Sequence, residues 1–437
     1  MALSTIIKTL VWIVAGGVLL IVCYILSQFN FGPPPLCNTG QGANNLNTEF
    51  QSNLAQFQDI LPQKGRPQLN YVEFLPSKFV NVRAAYIDDR PRESHRNATV
   101  LLANIWKNIT DNNLIVGCQI GNVKTSNFKV KVIGETPLWR AYPVYNKINH
   151  EEVLIDCFDV PSQNGDQAFL YYKTSDKSEI EVAVSERFVR RPDPHVSPTS
   201  PKGLEYNFTV VTCTKVFGGN SPWFVEWIKY QKRLGIDHVH IDVDNYFFIE
   251  LDKQKMDFVL AEIKSGFLSL DPWVLWLANG KEVWYHNQGL ILEDCGYRFR
   301  GTYDFMFVLD TDDFFVPRVP DQDTVHYYIY KYFKSNIGSC KMMWVEYFPD
   351  KYIKNTDIPN LQDGNVTSLL SNYTHVVQGN PKSVHRTIAL VDTATHYAFK
   401  MTDGYSGAVF QITDAYVAHV RKNRQPSFHK NLVYSPP

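Results

Sequence analysis

The stretch FMFVLDTDDFFVP, residues 305–317, decides the reading of this chain. An apolar run from Phe305 to Leu309 leads straight into Asp310, Thr311, Asp312 and Asp313, and Phe314, Phe315 and Val316 follow. A run this short, with aromatic and β-branched residues, reads as a buried strand. Three carboxylates between apolar flanks need a counter-charge, and a hard divalent cation such as Mn2+ or Mg2+ takes oxygen ligands. Asp-x-Asp at a strand end lets two carboxylates share one ion, which commonly bridges to substrate phosphates and neutralises a departing diphosphate. The spacing alone is common. Asp242-Val243-Asp244 also follows an apolar strand, and Asp321-Gln322-Asp323 matches it as well. The strand before Asp310 and the aromatics after Asp313 set the first apart.

Around this stretch, strands alternate with helices. NFTVVTCTKVF (207–217) and HVHIDVD (238–244) read as strands. SPWFVEWIKYQKRLG (221–235) reads as a helix between them, with Ser221 as N-cap, Pro222 at the first helical position and Gly235 at the C-cap. Glu250 to about Lys264 and Gln288 to Arg300 give two more helices. The alternation predicts an α/β unit over 205–437 with a mostly parallel sheet, which binds ligands beyond the carboxyl ends of its strands. Upstream, short alternating runs such as FVNVRAAYI, ATVLLANIW, LIVGCQI and EEVLIDCF predict a β-sandwich-like domain over 71–190. The proline-rich segment within 191–204 is the expected linker.

The N-terminus speaks to compartment. TLVWIVAGGVLLIVCYIL, Thr9 to Leu26, carries no charge. At 1.5 Å per residue it spans about 27 Å, roughly a bilayer core. No small-x-small cleavage site follows it, so a retained signal anchor over 9–27 is expected, rather than a cleaved leader. Lys8 precedes the span and Glu49 is the first charge after it, which leaves residues 1–8 cytoplasmic and the body lumenal. Residues 28–70, rich in Asn, Gln, Gly and Pro, read as a stem. Five Asn-x-Ser/Thr sites, at Asn97, Asn108, Asn207, Asn365 and Asn372, agree with a lumenal body. Besides Cys23 in the span there are Cys37, Cys118, Cys157, Cys213, Cys295 and Cys340, enough for three disulfides or for several buried thiols. No Cys-x-x-Cys or Cys/His cluster points to structural zinc.

Composition narrows the class. The chain has 437 residues, too many for one average domain. With 20% charged and 44% hydrophobic residues it is no disordered chain, and a formal net charge of -1 disfavours nucleic acid as partner.

Several segments together carry a resemblance. They are VRAAYIDDR (82–90), CTKVFGGNSPWFVEWIKYQKRLGIDHVHIDVDN (213–245), NQGLILEDCGYRFRGTYDFMFVLDTDDFFVP (287–317), KSVHRT (382–387), His396 and AHVRKNR (418–424). In order and number these resemble the motifs of glycosyltransferase family 92, over roughly Val82 to Arg421. Two positions depart from the family pattern: Asp313 stands where a Glu is usual, and Val420 where a Tyr is usual. The resemblance implies a GT-A fold, a type II Golgi membrane protein, a divalent cation (Mn2+ or Mg2+) and a UDP-sugar donor. It implies inverting transfer of galactose from UDP-galactose to a glycan on a glycoprotein, with fucose on N-glycan cores as the acceptor known in the family.

Roles follow from that resemblance. Asp312 would ligate the metal and Asp310 the metal or the ribose, with His419 as third ligand and His396 as its competitor. Asp313 would orient the first two or face the acceptor. Asp244 is placed to meet the nucleotide, and Lys382 and Arg386 the diphosphate, a solvated basic turn being the alternative. Glu346, Asp350 and Asp403 are candidates for the base that deprotonates the acceptor hydroxyl. Gln288, Asp294 and Arg298 fall on one helix at spacings of six and four, with Asp294 and Arg298 spaced as an i,i+4 ion pair. Two rival readings stay open: a membrane-anchored glycan-binding protein with a decayed site, and a glycoside hydrolase with paired carboxylates and no metal.

Overall fold

The computed structural model describes residues 80–88, 98–133, 150–174, 179–190, 206–216, 224–243, 251–272, 288–349, 373–393 and 398–420. All of them belong to one compact unit, Ala55–Pro437. The expected membrane span, stem and linker lie outside the described residues, as do Cys37, Asn97, Asn365 and Asn372. Among the described residues no helix is long and apolar enough to cross a membrane.

The N-terminal half is a sandwich. Its strands are β1 (Val80–Asp88), β2 (Ala98–Trp106), β3 (Ile115–Ile120), β4 (Val123–Thr125), β5 (Phe128–Val132), β6 (His150–Phe158), β7 (Ala168–Lys173) and β8 (Ile180–Val184), with a short helix α1 (Lys107–Asp111) after β2. They form two four-stranded sheets, ordered β1-β2-β6-β5 and β4-β3-β7-β8. Leu101, Ile155 and Val82 of the first sheet pack against Leu170, Ile120 and Ala183 of the second, and a disulfide between Cys118 and Cys157 joins the two. The opposite face of the first sheet, with Ala84, Tyr86, Val100, Leu102 and Leu154, is buried too. That is why VRAAYI and TVLLANI read as near-continuous apolar runs rather than strict alternation.

The C-terminal half holds β9 (Val210–Val216), α2 (Phe224–Arg233), β10 (His238–Val243), α3 (Lys253–Lys264), β11 (Leu268–Pro272), α4 (Gln288–Phe299), β12 (Phe305–Val308), β13 (Asp313–Pro317), α5 (Val325–Tyr332), β14 (Ile337–Pro349), β15 (Tyr373–Arg386), β16 (Leu390–Thr393), β17 (Ala398–Met401), β18 (Ser406–Val409) and β19 (Ala415–Val420). Nine strands make one sheet, ordered β11-β10-β9-β12-β15-β14-β19-β13 with β18 beside β14. The expected mostly parallel sheet is realised only over β11-β10-β9-β12. Beyond β12 the sheet is mixed, because β15 runs antiparallel to both β12 and β14. The chain reverses there through the long strands β14 and β15 instead of returning through crossover helices.

Local signals explain the helices. Asp252 caps α3 by accepting from the Lys255 amide at 2.9 Å. Gly235 ends α2 with φ +82°, where a side chain would be strained and would crowd His326. Helix α4 is buried on nearly every side. Leu292 and Cys295 pack on Val211, Met306 and Val308 of the large sheet, with Cys295 disulfide-linked to Cys213. Its Leu290, Ile291 and Tyr297 pack on the sandwich. Helix α4 is therefore the layer between the two sheets.

Candidate active site

The acidic turn leaves β12 at the carboxyl edge of the parallel strands. The Asp313 amide donates to the Asp310 carbonyl at 2.9 Å, closing a four-residue turn. Strand β13 then pairs antiparallel with β19, with Asp313 opposite His419. Helix α2 lies over this strand and fixes it twice. Trp227 Nε1 donates to the Asp313 carbonyl at 2.8 Å, and the Tyr230 hydroxyl to the Phe315 carbonyl at 2.6 Å.

Asp313 is enclosed and fully partnered. Its Oδ1 accepts from His419 Nδ1 at 2.7 Å and Trp344 Nε1 at 3.2 Å. Its Oδ2 accepts from the Asp310 amide at 2.9 Å and lies 2.9 Å from Lys382 Nζ. Burial works to raise its pKa, but Lys382 and His419 outweigh it and hold the carboxyl well below the usual carboxylate range. With four donors already on its two oxygens it has no lone pair left for an acceptor hydroxyl. Of the two roles the sequence left open, this geometry corresponds to orienting the turn.

Asp310 and Asp312 keep open faces, with side chains 32% and 37% exposed. Asp310 accepts from Lys382 Nζ at 2.6 Å on Oδ2 and from Gln288 Nε2 at 3.4 Å on Oδ1. Burial raises its pKa and Lys382 more than reverses this, so it is ionised at neutral pH. Asp312 lies 3.6 Å from His419 Nδ1. Burial pushes its pKa up, aided by the charges of Asp313 and Asp310 and opposed by His419. Carboxylate and imidazole atoms of Asp312, Asp313 and His419 lie within 4.8 Å of one another.

This donor set fits a divalent cation. With His419 in the neutral form that a metal ligand requires, three carboxylates less the one ammonium of Lys382 leave two net negative charges, which one such ion neutralises. His419 donates Nδ1–H to Asp313, which leaves Nε2 as the lone-pair nitrogen, the tautomer a ligating histidine takes when a carboxylate orients it.

The other predicted residues divide. Glu346 on β14 is in register with His419, two residues beyond Trp344, whose ring is 4.5 Å from the His419 ring. It is brought beside the turn, though buried. Lys382 is 1% exposed and committed to Asp310 and Asp313, so it serves the turn rather than a solvated loop. Arg386 is not brought there: its guanidinium lies over Phe305, 5.0 Å from the ring centre, at the opposite end of β12. Nor is Asp403, which is exposed and precedes β18, the partner of the far end of β14. Asp244, His396 and Asp350 lie outside the described residues.

Sequence reasoning missed Trp344, Trp227 and Lys215. Lys215 lies two residues beyond Cys213, the register partner of Val308, and so stands in line with Asp310, whose pKa its charge helps lower. The apolar-strand register was the available signal.

A second buried cluster gathers His240, Asp242, Asp271 and Asp294. Here arginines supply the counter-charge. Arg187 reaches Asp271 at 2.5 Å and Asp294 at 3.2 Å, and Arg298 bonds to both carboxylates. Tyr86 donates to Asp294 at 2.6 Å. Burial drives the Asp242 pKa well up and the His240 pKa well down, while the arginines balance Asp271 and Asp294. Arg187 and Tyr86 come from the sandwich half, so this network ties the two halves together.

A family model described as glycosyltransferase family 92 matches residues 208–437. No curated protein matches the chain. The match covers more than half of the sequence and contains the acidic turn, Lys382, Glu346 and His419, so the chain belongs to glycosyltransferase family 92.

Proposed function

We propose that this glycosyltransferase moves a hexose from a nucleoside diphosphate sugar, galactose from UDP-galactose, onto a glycan of a glycoprotein with inversion at the anomeric carbon. Fucose on an N-glycan core is the first acceptor to try. The observation that carries the reading is the turn Asp310–Asp313, with two net negative charges at the carboxyl edge of the parallel strands. Asp312, Asp310 and His419 would hold Mn2+ or Mg2+, which when bound neutralises charge on the departing diphosphate.

The chain's own residues supply the rest. Asp313 orients His419 and anchors the Asp310 amide. Lys382 keeps Asp310 and Asp313 ionised side by side. Lys215, in line with Asp310, adds positive charge where the phosphates would lie. Inversion needs a carboxylate opposite the leaving group to accept the proton of the acceptor hydroxyl. Glu346 is our candidate base, because it is the one of the three candidates described beside the turn. The anchor over 9–27, the stem and the Asn-x-Ser/Thr sites support a single-pass type II Golgi protein with a lumenal catalytic body.

The test uses the full-length chain in detergent, a panel of UDP- and GDP-sugars, Mn2+ or EDTA, and Asp312→Ala. UDP release from one sugar that needs Mn2+ and disappears in the variant is expected. Silence with every donor and a panel of glycan acceptors, together with no Mn2+-dependent UDP binding, would overturn the reading in favour of a glycan-binding protein.

A further inference from the structure

We infer that Glu152, on sandwich strand β6, is a positioning residue for the metal-binding turn, acting through the N-terminus of α4. The inference rests on the proposed metal site and deepens it.

Helix α4 begins at Gln288, and the first amides of a helix have no partner within it. The Glu152 carboxylate meets them from the sandwich half: its Oε2 accepts from the Leu290 amide at 3.1 Å. It also lies against Gly289, where an added Cβ would run into Oε2 and into Ile133 Cγ2. Glu152 therefore supplies, from a strand 136 residues before Gln288, the acceptor that a capping side chain usually provides locally. The held terminus carries Gln288, whose Nε2 donates to Asp310 Oδ1. Glu152 also lies within electrostatic reach of Lys215, which acts on Asp310 in turn. At neutral pH the Glu152 carboxyl is largely protonated, so the route from the sandwich to the candidate metal ligand is the one through Leu290 and Gln288.

The chemistry of Glu152 suits a positioning part. It is buried, and among the described residues its Oε1 has no hydrogen-bond partner. Burial pushes its pKa up to about 8, against the lowering effect of the Leu290 amide and Lys215. A neutral carboxyl still accepts from an amide through its carbonyl oxygen, so glutamine is a fair mimic and alanine is not.

The test measures Mn2+ affinity of the full-length chain by the EPR signal of free Mn2+, with UDP absent and then present. Glu152→Ala is expected to weaken Mn2+ by about three- to tenfold, at or below the lower end of what direct partners of metal ligands cost, because it acts one contact further out through Gln288. Glu152→Gln should stay within about twofold of wild type at pH 7, as the mimicry argument requires. In a Gln288→Ala background the Glu152→Ala effect should shrink, because contacting residues on one route do not add. If Glu152→Ala fails to fold, Gly289→Ala replaces it, since its Cβ pushes the amides off Glu152 and should weaken Mn2+ in the same direction. Equal Mn2+ affinity in wild type and the folded variants overturns the inference alone, as does full additivity with Gln288→Ala. A wild type that binds no Mn2+ with or without UDP overturns the metal reading and this inference with it.

Discussion

Replacing Asp313 by asparagine is the sharpest single perturbation. Four donors converge on its carboxylate: His419 and Trp344 on one oxygen, the Asp310 amide and Lys382 on the other. Asparagine keeps one acceptor and turns an NH2 toward two of those donors. A hydrogen bond to a charged group is worth about 1.5–3 kcal/mol, so the two lost contacts cost roughly 3–6 kcal/mol. Lys382, only 1% exposed, retains Asp310 at 2.6 Å and is not left without a charge partner, which keeps the loss toward the lower half of that range. The net charge at the turn also falls from two negatives to one, and His419 loses the acceptor that orients it. Mn2+ affinity should fall about 10- to 100-fold. Urea unfolding followed by tryptophan fluorescence reads the first effect directly, because Trp227 and Trp344 both hydrogen-bond to Asp313. EPR titration reads the second. A midpoint shift worth less than about 1 kcal/mol, with Mn2+ affinity within twofold of wild type, would refute the idea that a saturated buried carboxylate organises the turn.

Lys382→Met should leave Asp310 and Asp313 facing each other uncompensated, so the metal-free protein loses several kcal/mol while Mn2+ restores more of it than in wild type; equal Mn2+-induced Tm shifts in the two proteins would contradict this. Glu346→Gln should lower kcat/KM about 10²- to 10⁴-fold with Mn2+ affinity unchanged, which an acceptor assay and EPR separate. The junction between the halves should loosen in acid. Burial would raise the Asp294 pKa, but Arg298 and Arg187 hold it at about 2, and the same arginines hold Asp271 well below the usual range. Both folded values lie below the unfolded value of about 3.9, so their contribution is present above that pH and lost as pH falls from about 4 toward 2. Hydrogen exchange of α4 and β1 should rise over that interval ahead of the rest of the chain, and a uniform rise would speak against it.

The sequence made some parts of this fold legible and hid others for definite reasons. Helices α2, α3 and α4 showed through their periodicity, and β9, β10 and β12 through short apolar runs, because each depends on neighbours within a few residues. The acidic turn was legible for the same reason. The partners of Asp313 were not, since Trp344 and His419 lie 31 and 106 residues away and meet it only across the finished sheet. Lys382 and Arg386 looked like a pair because four residues separate them in sequence. On a strand that interval is about 13 Å, which puts Lys382 at the turn and Arg386 over Phe305 at the other end of β12. The mixed part of the sheet was hidden too: β14 and β15 carry no turn signal that distinguishes an antiparallel return from a crossover.

The proline-rich segment before Glu205 reads as a boundary, yet the packing argues that the two halves form one structural unit. The first sandwich sheet buries Tyr86, Val100, Leu102 and Leu154 against Leu290, Ile291 and Tyr297 of α4, so separating the halves exposes apolar surface on both. Charge makes the case stronger than apolar area does. Asp271 and Asp294, at 8% and 0% side-chain exposure, take Arg187 from the sandwich as a shared partner. Removing one member of such a buried group strands the charges that remain, at a cost of about 3–5 kcal/mol. Arg298 would then face both carboxylates without Arg187, and the 2.9 Å ion pair of Asp88 with Arg300 across the same junction would be lost as well. The sandwich thus completes the electrostatics of the catalytic half as well as covering α4. Through Glu152 it also contacts the helix terminus that carries Gln288 to the acidic turn. For a helix wedged between two sheets, position is set by both, and the candidate site inherits its geometry from the sandwich as much as from the strands that carry its carboxylates.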